Sequence, residues 1–403
     1  MTQSIYLKLR DEARVMHDEI VAWRRHLHAN PELSFKEFQT TQFIVEKLES
    51  FGYEQPQVGF GPIQTGACVY VGKGDRTVAL RCDIDALPIQ EKLDVQWKSQ
   101  NDGVMHACGH DAHTACMLAV AKLLKQNEAL LPGRVKIFFQ PAEETRIKIY
   151  EKPLSGGGYV VRSGALDDVE AAFGMHVWGV FDEGKVFVRS GPTMMASGRF
   201  NLKVIGKGTH GASPLLGHDP ITTACQVVDA LQTVVSREIS PIEPALITIG
   251  TIHGGTATNI IPQEVELSGT IRAAKEEVVR FMGARIAEVA ELTAKAHRCT
   301  TDYNLLINGP AVVNDPRMVA VVQKSARTIL GEERVSDVEM LTGSEDFREY
   351  SAKVPAALYF MGMKNEACGI GQPQHDPCFT VNDAVLSDAA AVMAGIAFAY
   401  FEG

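Results

Sequence analysis

The segment Val135-Lys136-Ile137-Phe138-Phe139-Gln140-Pro141-Ala142-Glu143-Glu144 reads as a short apolar strand that runs out into a proline turn bearing two adjacent carboxylates. Before it, Asp111 to Gln126 has helical spacing, and after it Ala171-Ala172-Phe173-Gly174-Met175 is a second apolar strand. Further back, Ile5 to His28 and Thr40 to Phe51 read as amphipathic helices. Val69-Tyr70-Val71 and Thr77-Val78-Ala79-Leu80 read as strands around a Gly-Lys-Gly-Asp turn. Strands alternating with helices predict an α/β fold with a mostly parallel sheet covered on both faces.

From about Gly191 the pattern changes. A strand at 199–205, a helix at 220–237, strands at 245–252 and 265–271, a helix at 275–296 and a strand at 301–306 follow in turn. That order is expected of a small α+β unit of ferredoxin-like type, with its helices on one face of an antiparallel sheet. After Pro310 helix and strand patterns resume. The expected architecture is a larger domain built from 1–190 and 307–403, with a smaller one inserted at 191–306.

Composition agrees with this division. At about 150 residues per domain, 403 residues suit two or three domains, and 45% apolar content excludes disordered and fibrous classes. With 39 Lys and Arg against 49 Asp and Glu, the net charge of -10 argues against nucleic acid as a partner. The longest uncharged apolar stretch, Ala389 to Phe401, is thirteen residues, short of the roughly 20 that span a bilayer, so it reads as a buried helix and no membrane partner is expected. Charges at Lys8, Arg10, Asp11, Glu12 and Arg14 leave no apolar core for a secretory signal, which makes the cytoplasm the expected location. Eight cysteines in so long a chain are too sparse for a disulfide scaffold and are expected to be mostly reduced.

Chemistry concentrates in a few places. Met105-His106-Ala107-Cys108-Gly109-His110-Asp111-Ala112-His113 gathers a thiol, imidazoles and a carboxylate just before a helix, which suits a metal site or a polar turn. Glu143 and Glu144 stand beyond a strand's carboxyl end, where ligands collect in open α/β sheets; one can bind a metal while the other acts as a base. His176 after Met175, Asp83 and Asp85 after the 77–80 strand, and His375 before the last helix are each unremarkable alone. Their shared placement at strand ends, convergent in a parallel sheet, points to metal.

Taken in order, Met-His-Ala-Cys-Gly-His-Asp (105–111), Gln-Pro-Ala-Glu-Glu (140–144), Gly-Met-His (174–176), Gly-Thr-His-Gly-Ala-Ser-Pro (208–214), Asn-Ile-Ile-Pro (259–262), Gly-Ser-Glu-Asp-Phe (343–347) and His375 resemble the M20 metallopeptidase family. The resemblance is to its amidohydrolase branch, with hippurate hydrolases, aminoacylases and auxin-conjugate hydrolases, and it extends from His26-x-His28-x-Asn30-Pro31-Glu32 onward. It implies a metal-binding catalytic domain and an inserted lid and dimerisation domain. It further implies two divalent ions (zinc, manganese, cobalt or nickel), with Cys108 as shared ligand, His110 and His176 completing one site, and Glu144 and His375 the other. Glu143 takes the place of the general base, and Asp85 that of a supporting aspartate. His210 and Asn259 fall where the family donates residues across a dimer, and Arg272 matches an arginine used on the substrate carboxylate. The implied activity is removal of an N-acyl group from an N-acyl-L-amino acid by a metal-activated water, in a homodimer or higher homo-oligomer. A dipeptidase, an N-carbamoyl-amino-acid amidase, a non-catalytic metal- or peptide-binding relative, and a redox sensor at Cys108 are the alternatives.

The chain departs from the family at two places. Thr145 to Pro153 intervenes before Gly156-Gly157-Gly158, and Gly198-Arg199 stands where an acidic residue is more usual. His106, His113, His218 and His253 carry no assigned role.

Overall fold

The computed structural model describes residues 2–402, which form two units: 2–191 with 313–339 and 346–402, and 192–312 with 340–345. The fourth strand of the second unit, Thr300–Gly309, runs past the boundary expected at 306, and 340–345 also belong to that unit.

The first unit is built on an eight-stranded sheet. At its centre the strands Arg134–Gln140, Thr77–Asp83, Ala171–Asp182 and Ala356–Lys364 lie side by side and parallel. Their side chains are almost continuously buried, as a sheet covered on both faces requires. The strands flanking the Gly-Lys-Gly-Asp turn are not partners: Ile63–Val71 pairs antiparallel with one edge of 134–140 and 77–83 pairs parallel with the other. Period-2 patterning fixes which face a residue takes but not which strand lies beside it. The N-terminal amphipathic run is also two helices, Thr2–Val15 and His17–Ala29, interrupted at Met16.

The closing helix, Leu386–Phe401, packs among the helices 2–15, His110–Gln126 and Pro316–Leu330. With the turn before it, Asp383–Phe401 is long and apolar enough by composition to cross a membrane, beyond the thirteen-residue stretch, yet 78% of that window is buried inside the protein.

The second unit orders its strands Ala245–Gly254, Glu264–Ala273, Ala196–Ile205 and Thr300–Gly309, every neighbouring pair antiparallel. In chain order these are strands two, three, one and four, the ferredoxin-like arrangement. Helices Pro220–Glu238 and Glu276–Ala296 bury Val227, Leu231, Met282 and Ile286 against Phe200, Leu202, Leu267 and Ile271 on one face. Asp219 caps the first helix through the amides of Ile221 and Thr222, with Pro220 at its first turn.

Candidate metal centre

Register brings the chemistry together in the first unit. Asp83, the last residue of its strand, is paired with Gln140, and Arg81 two residues earlier is paired with both Phe138 and Gly174. His176 therefore lies level with Asp83 and Gln140, the carboxyl ends of the 77–83 strand beside it and of the 134–140 strand beyond that. It does not end its own strand, as the apolar run suggested, because 171–182 continues beside 356–364.

Cys108 and His110 flank Gly109, whose φ of 90° is the left-handed conformation that an L side chain adopts only at a cost. This turn points both side chains at His176. Cys108 Sγ lies 3.4 Å from His176 Nε2, and His176 Nδ1 donates to the Val177 carbonyl at 2.6 Å. That bond places the ring proton on Nδ1 and leaves the Nε2 lone pair facing the thiol. Burial holds the His176 ring neutral, well below its ordinary pKa.

His110 Nδ1 lies 3.1 Å from Asp85 Oδ1, while its buried Nε2 has no hydrogen-bond partner among the described residues. Burial alone would lower its pKa, but the charges of Asp83 and Asp85 outweigh it and raise the ring to about 10. On the other side, His375 Nε2 is 3.1 Å from Glu144 Oε1, in a geometry that leaves that buried oxygen without a hydrogen bond. His375 has φ 68° and is fixed by its N–H to the Ala107 carbonyl at 2.7 Å, one residue before Cys108.

Donor atoms of Cys108, His110 and His176 lie within 4.8 Å of one another, as do those of Cys108, Glu144 and His375. Two triads meeting at one thiol, with a buried imidazole nitrogen and a buried carboxylate oxygen both lacking hydrogen-bond partners, fit divalent cations better than they fit each other.

The Glu143-Glu144 loop is clamped by buried carboxylates. Ala142, at φ 53°, donates its N–H to Glu37 Oε1 at 2.8 Å. The next two amides, of Glu143 and Glu144, each donate to Asp85 at 3.1 Å. Burial and the nearby Asp85 charge push the Glu37 carboxyl up to about 8, and Thr65 Oγ1 donates to its second oxygen. Glu143 is itself oriented: its Oε1 accepts from the Asp346 N–H at 2.9 Å. The Asp346 side chain is held in turn by Arg81 at 2.6 Å, by Gln140, and by the Gly157 N–H at 2.8 Å. A Cβ at Gly157 would come within 2.8 Å of that carboxylate.

Among the expected site residues, the structure thus assembles Cys108, His110, His176, Glu143, Glu144, His375 and Asp85. His210, Asn259 and Arg272 belong to the second unit. There His210 pairs with Ile260, and the Gly211 N–H donates to the Asn259 carbonyl at 2.7 Å, so His210 and Asn259 are neighbours. Arg272 is on the 264–273 strand.

Sequence reasoning passed over Glu37, Arg81, Asp346 and His113. His113 Nδ1 is 2.5 Å from Asp83, and its Nε2 accepts from the Val177 N–H, which helps fix the backbone beside His176. Asp346 stood inside the quoted 343–347 motif, which could have drawn attention to it, whereas Arg81 and Glu37 carried no such signal. His106 is buried and held neutral by burial at a pKa of about 4.

The chain is similar to curated proteins over nearly its full length. It is 35% identical to thermostable carboxypeptidase 2 of Saccharolobus solfataricus across 98% of both chains. It is 38% identical to the IAA-amino acid hydrolase ILR1-like 4 of Arabidopsis thaliana, covering 95% of this chain and 86% of that one. A solved Bacillus subtilis structure, a dinuclear metal-binding peptidase of the M20 family, superposes with a TM-score of 0.81 at 31% identity, over 96% of this chain and 99% of the other. A model of peptidase family M20/M25/M40 matches residues 79–399, a span that holds every one of these cation donors, and the chain belongs to that family.

Proposed function

We propose that the protein is a metal-dependent amide hydrolase that frees an amino acid from its N-acyl conjugate. The observation that carries this is the meeting of two donor triads at Cys108, with the Glu143 carboxylate oriented nearby by the Asp346 amide. Cys108, His110 and His176 would hold one divalent ion, and Glu144 and His375 together with Cys108 would hold a second. Thiolate and imidazole suit zinc, and the carboxylate admits manganese, cobalt or nickel. When bound, such ions acidify a water and polarise the amide carbonyl.

The residues do the rest. Glu143 takes the proton of the attacking water and returns it to the leaving amine. Asp85 fixes His110 through Nδ1, so that Nε2 faces the cation donors. His210 of a second copy in a homodimer donates to the developing oxyanion, Asn259 contacts substrate, and Arg272 pairs with the substrate carboxylate. A conjugate hydrolase and a carboxypeptidase, the activities named for two relatives, both cleave an amide whose nitrogen belongs to an amino acid with a free carboxylate.

The test is hydrolysis of N-acetyl, N-benzoyl, N-carbamoyl and dipeptide substrates after loading each metal, with Glu143→Gln alongside. The variant should keep its metal and lose turnover about 10²- to 10⁴-fold; near wild-type activity would overturn the assignment. Similarity to a carboxypeptidase favours a dipeptidase as the second reading, and the same panel separates the two. Mixing inactive His210→Ala and Glu143→Ala proteins should restore activity once subunits exchange.

A further inference from the structure

Charge on the face of the ferredoxin-like sheet opposite its two helices is matched at one end and unmatched at the other. Register sets Ser197 opposite Arg272 and Arg199 opposite Thr270. Alternation sends these four side chains away from the helices, because the intervening Ala196, Phe200, Ile271 and Ala273 fill the helix-covered core. Arg199 and Arg272 are therefore diagonal neighbours on one face, about 7–8 Å apart at the level of the sheet. Toward the far end of the same face, Lys203 is paired with Glu264 at 3.3 Å and Glu266 at 2.6 Å. Neither arginine has an ion-pair partner among the described residues. The residues across the neighbouring strands are neutral as well: Leu246 opposite Arg272, and Leu306 opposite Arg199. Arg272 is half-buried, and burial together with the Arg199 charge disfavours its cationic form.

Two like charges side by side on a sheet destabilise it unless something anionic lies between them. A small dianion satisfies both guanidinium forks, since each accepts a carboxylate in a bidentate pair. In a chain of net charge -10, such a local concentration of cations is what an anionic ligand would require.

We propose that Arg199 and Arg272 form a receptor for two carboxylates, and that the preferred substrate is the N-acyl conjugate of an acidic amino acid, aspartate or glutamate. This rests on the reading above that Arg272 holds the substrate α-carboxylate; Arg199 then takes the side-chain carboxylate.

Two measurements on the full-length protein test it. In the first, glutarate and its mono-anionic amide, glutaramate, are titrated calorimetrically into metal-free protein. In the second, kcat and KM are compared for N-acetyl-L-glutamate and the isosteric N-acetyl-L-glutamine on metal-loaded enzyme. Wild type should favour the dianion about tenfold or more in both. Arg199→Gln should erase that preference, with the loss falling on KM, and Arg199→Lys should restore part of it; circular dichroism checks that each variant is folded. Equal treatment of the two ligands by wild type, or a preference untouched by Arg199→Gln, overturns the proposal. Arg199-dependent glutarate binding without any amide hydrolysis would keep the receptor and sink the hydrolase reading. Hydrolysis of neutral conjugates with no Arg199 effect would do the reverse.

Discussion

Gly109→Ala is the substitution whose consequence can be worked most directly from the structure. A Cβ there would lie 2.3 Å from Val177 Cγ2, where ordinary carbon contacts are about 3.5–4.0 Å. Relieving that overlap in a packed core costs about 1–3 kcal/mol. The backbone φ of 90° adds about 1–2 kcal/mol for an L side chain. Together these come to about 2–5 kcal/mol, against a typical total stability of about 5–15 kcal/mol.

The overlap and the backbone strain are separable. Val177→Ala removes the clashing methyl and by itself costs on the order of 2 kcal/mol, but in the double variant the overlap is gone and only the backbone strain remains. A double-mutant cycle should therefore show a coupling of about 1–3 kcal/mol. Denaturant midpoints followed by tryptophan fluorescence read the right unit, because Trp23, Trp97 and Trp178 all lie in the first. Since Gly109 separates Cys108 from His110, chelator competition should also show weaker cation binding in Gly109→Ala. A stability loss below about 1 kcal/mol, or no coupling with Val177→Ala, would refute the reasoning.

Other expectations follow from the same site. Glu37→Leu removes the acceptor for the Ala142 N–H and should cost about 1–3 kcal/mol and weaken cation affinity about tenfold or more; Glu37→Gln, which keeps an acceptor, should restore both in denaturation and chelator-competition assays. Alkylation of Cys108 should be slow in the metal-loaded protein and speed up on adding chelator; rates indifferent to chelator would count against its ligand role. Arg24 lies 2.8 Å from Asp111, and its charge and that of His28 outweigh burial to hold the Asp111 carboxyl well below its usual range. A depressed carboxyl contributes stability above its ordinary pKa of about 4, lost as pH falls through and below that value. Asp111→Asn should thus be about 3–5 kcal/mol less stable at pH 7, with the gap to wild type narrowing in urea midpoints as pH drops below about 4.

Much of this was readable along the chain. The apolar run 135–139 gave a strand at Arg134–Gln140, and the turn after it carried the two carboxylates now seen at the site. That Cys108, His110, Glu144, His176 and His375 are candidates for one cluster was legible, because metal-ligating chemistry uses few residue types and their motifs are short. The supporting residues were not. Glu37 is 105 positions from the Ala142 amide it accepts from, and Asp346 is 203 from Glu143. A buried acid that serves a backbone amide looks in sequence like any acid on a polar loop. Likewise His176 read as the end of a strand, since its imidazole interrupts the apolar run there, while backbone pairing with 356–364 continues.

The sequence by itself determined the class of the fold, the ferredoxin-like insertion and the candidate donor residues, because periodicity and donor chemistry are local. Only the tertiary structure decided which strands are neighbours, that two donor triads meet at Cys108, and that Glu37, Asp85 and Asp346 hold the 142–144 loop in place. The physical reason is that hydrogen-bond register and burial act between residues far apart in the chain, and no spacing within a segment encodes which distant amide will need a carboxylate.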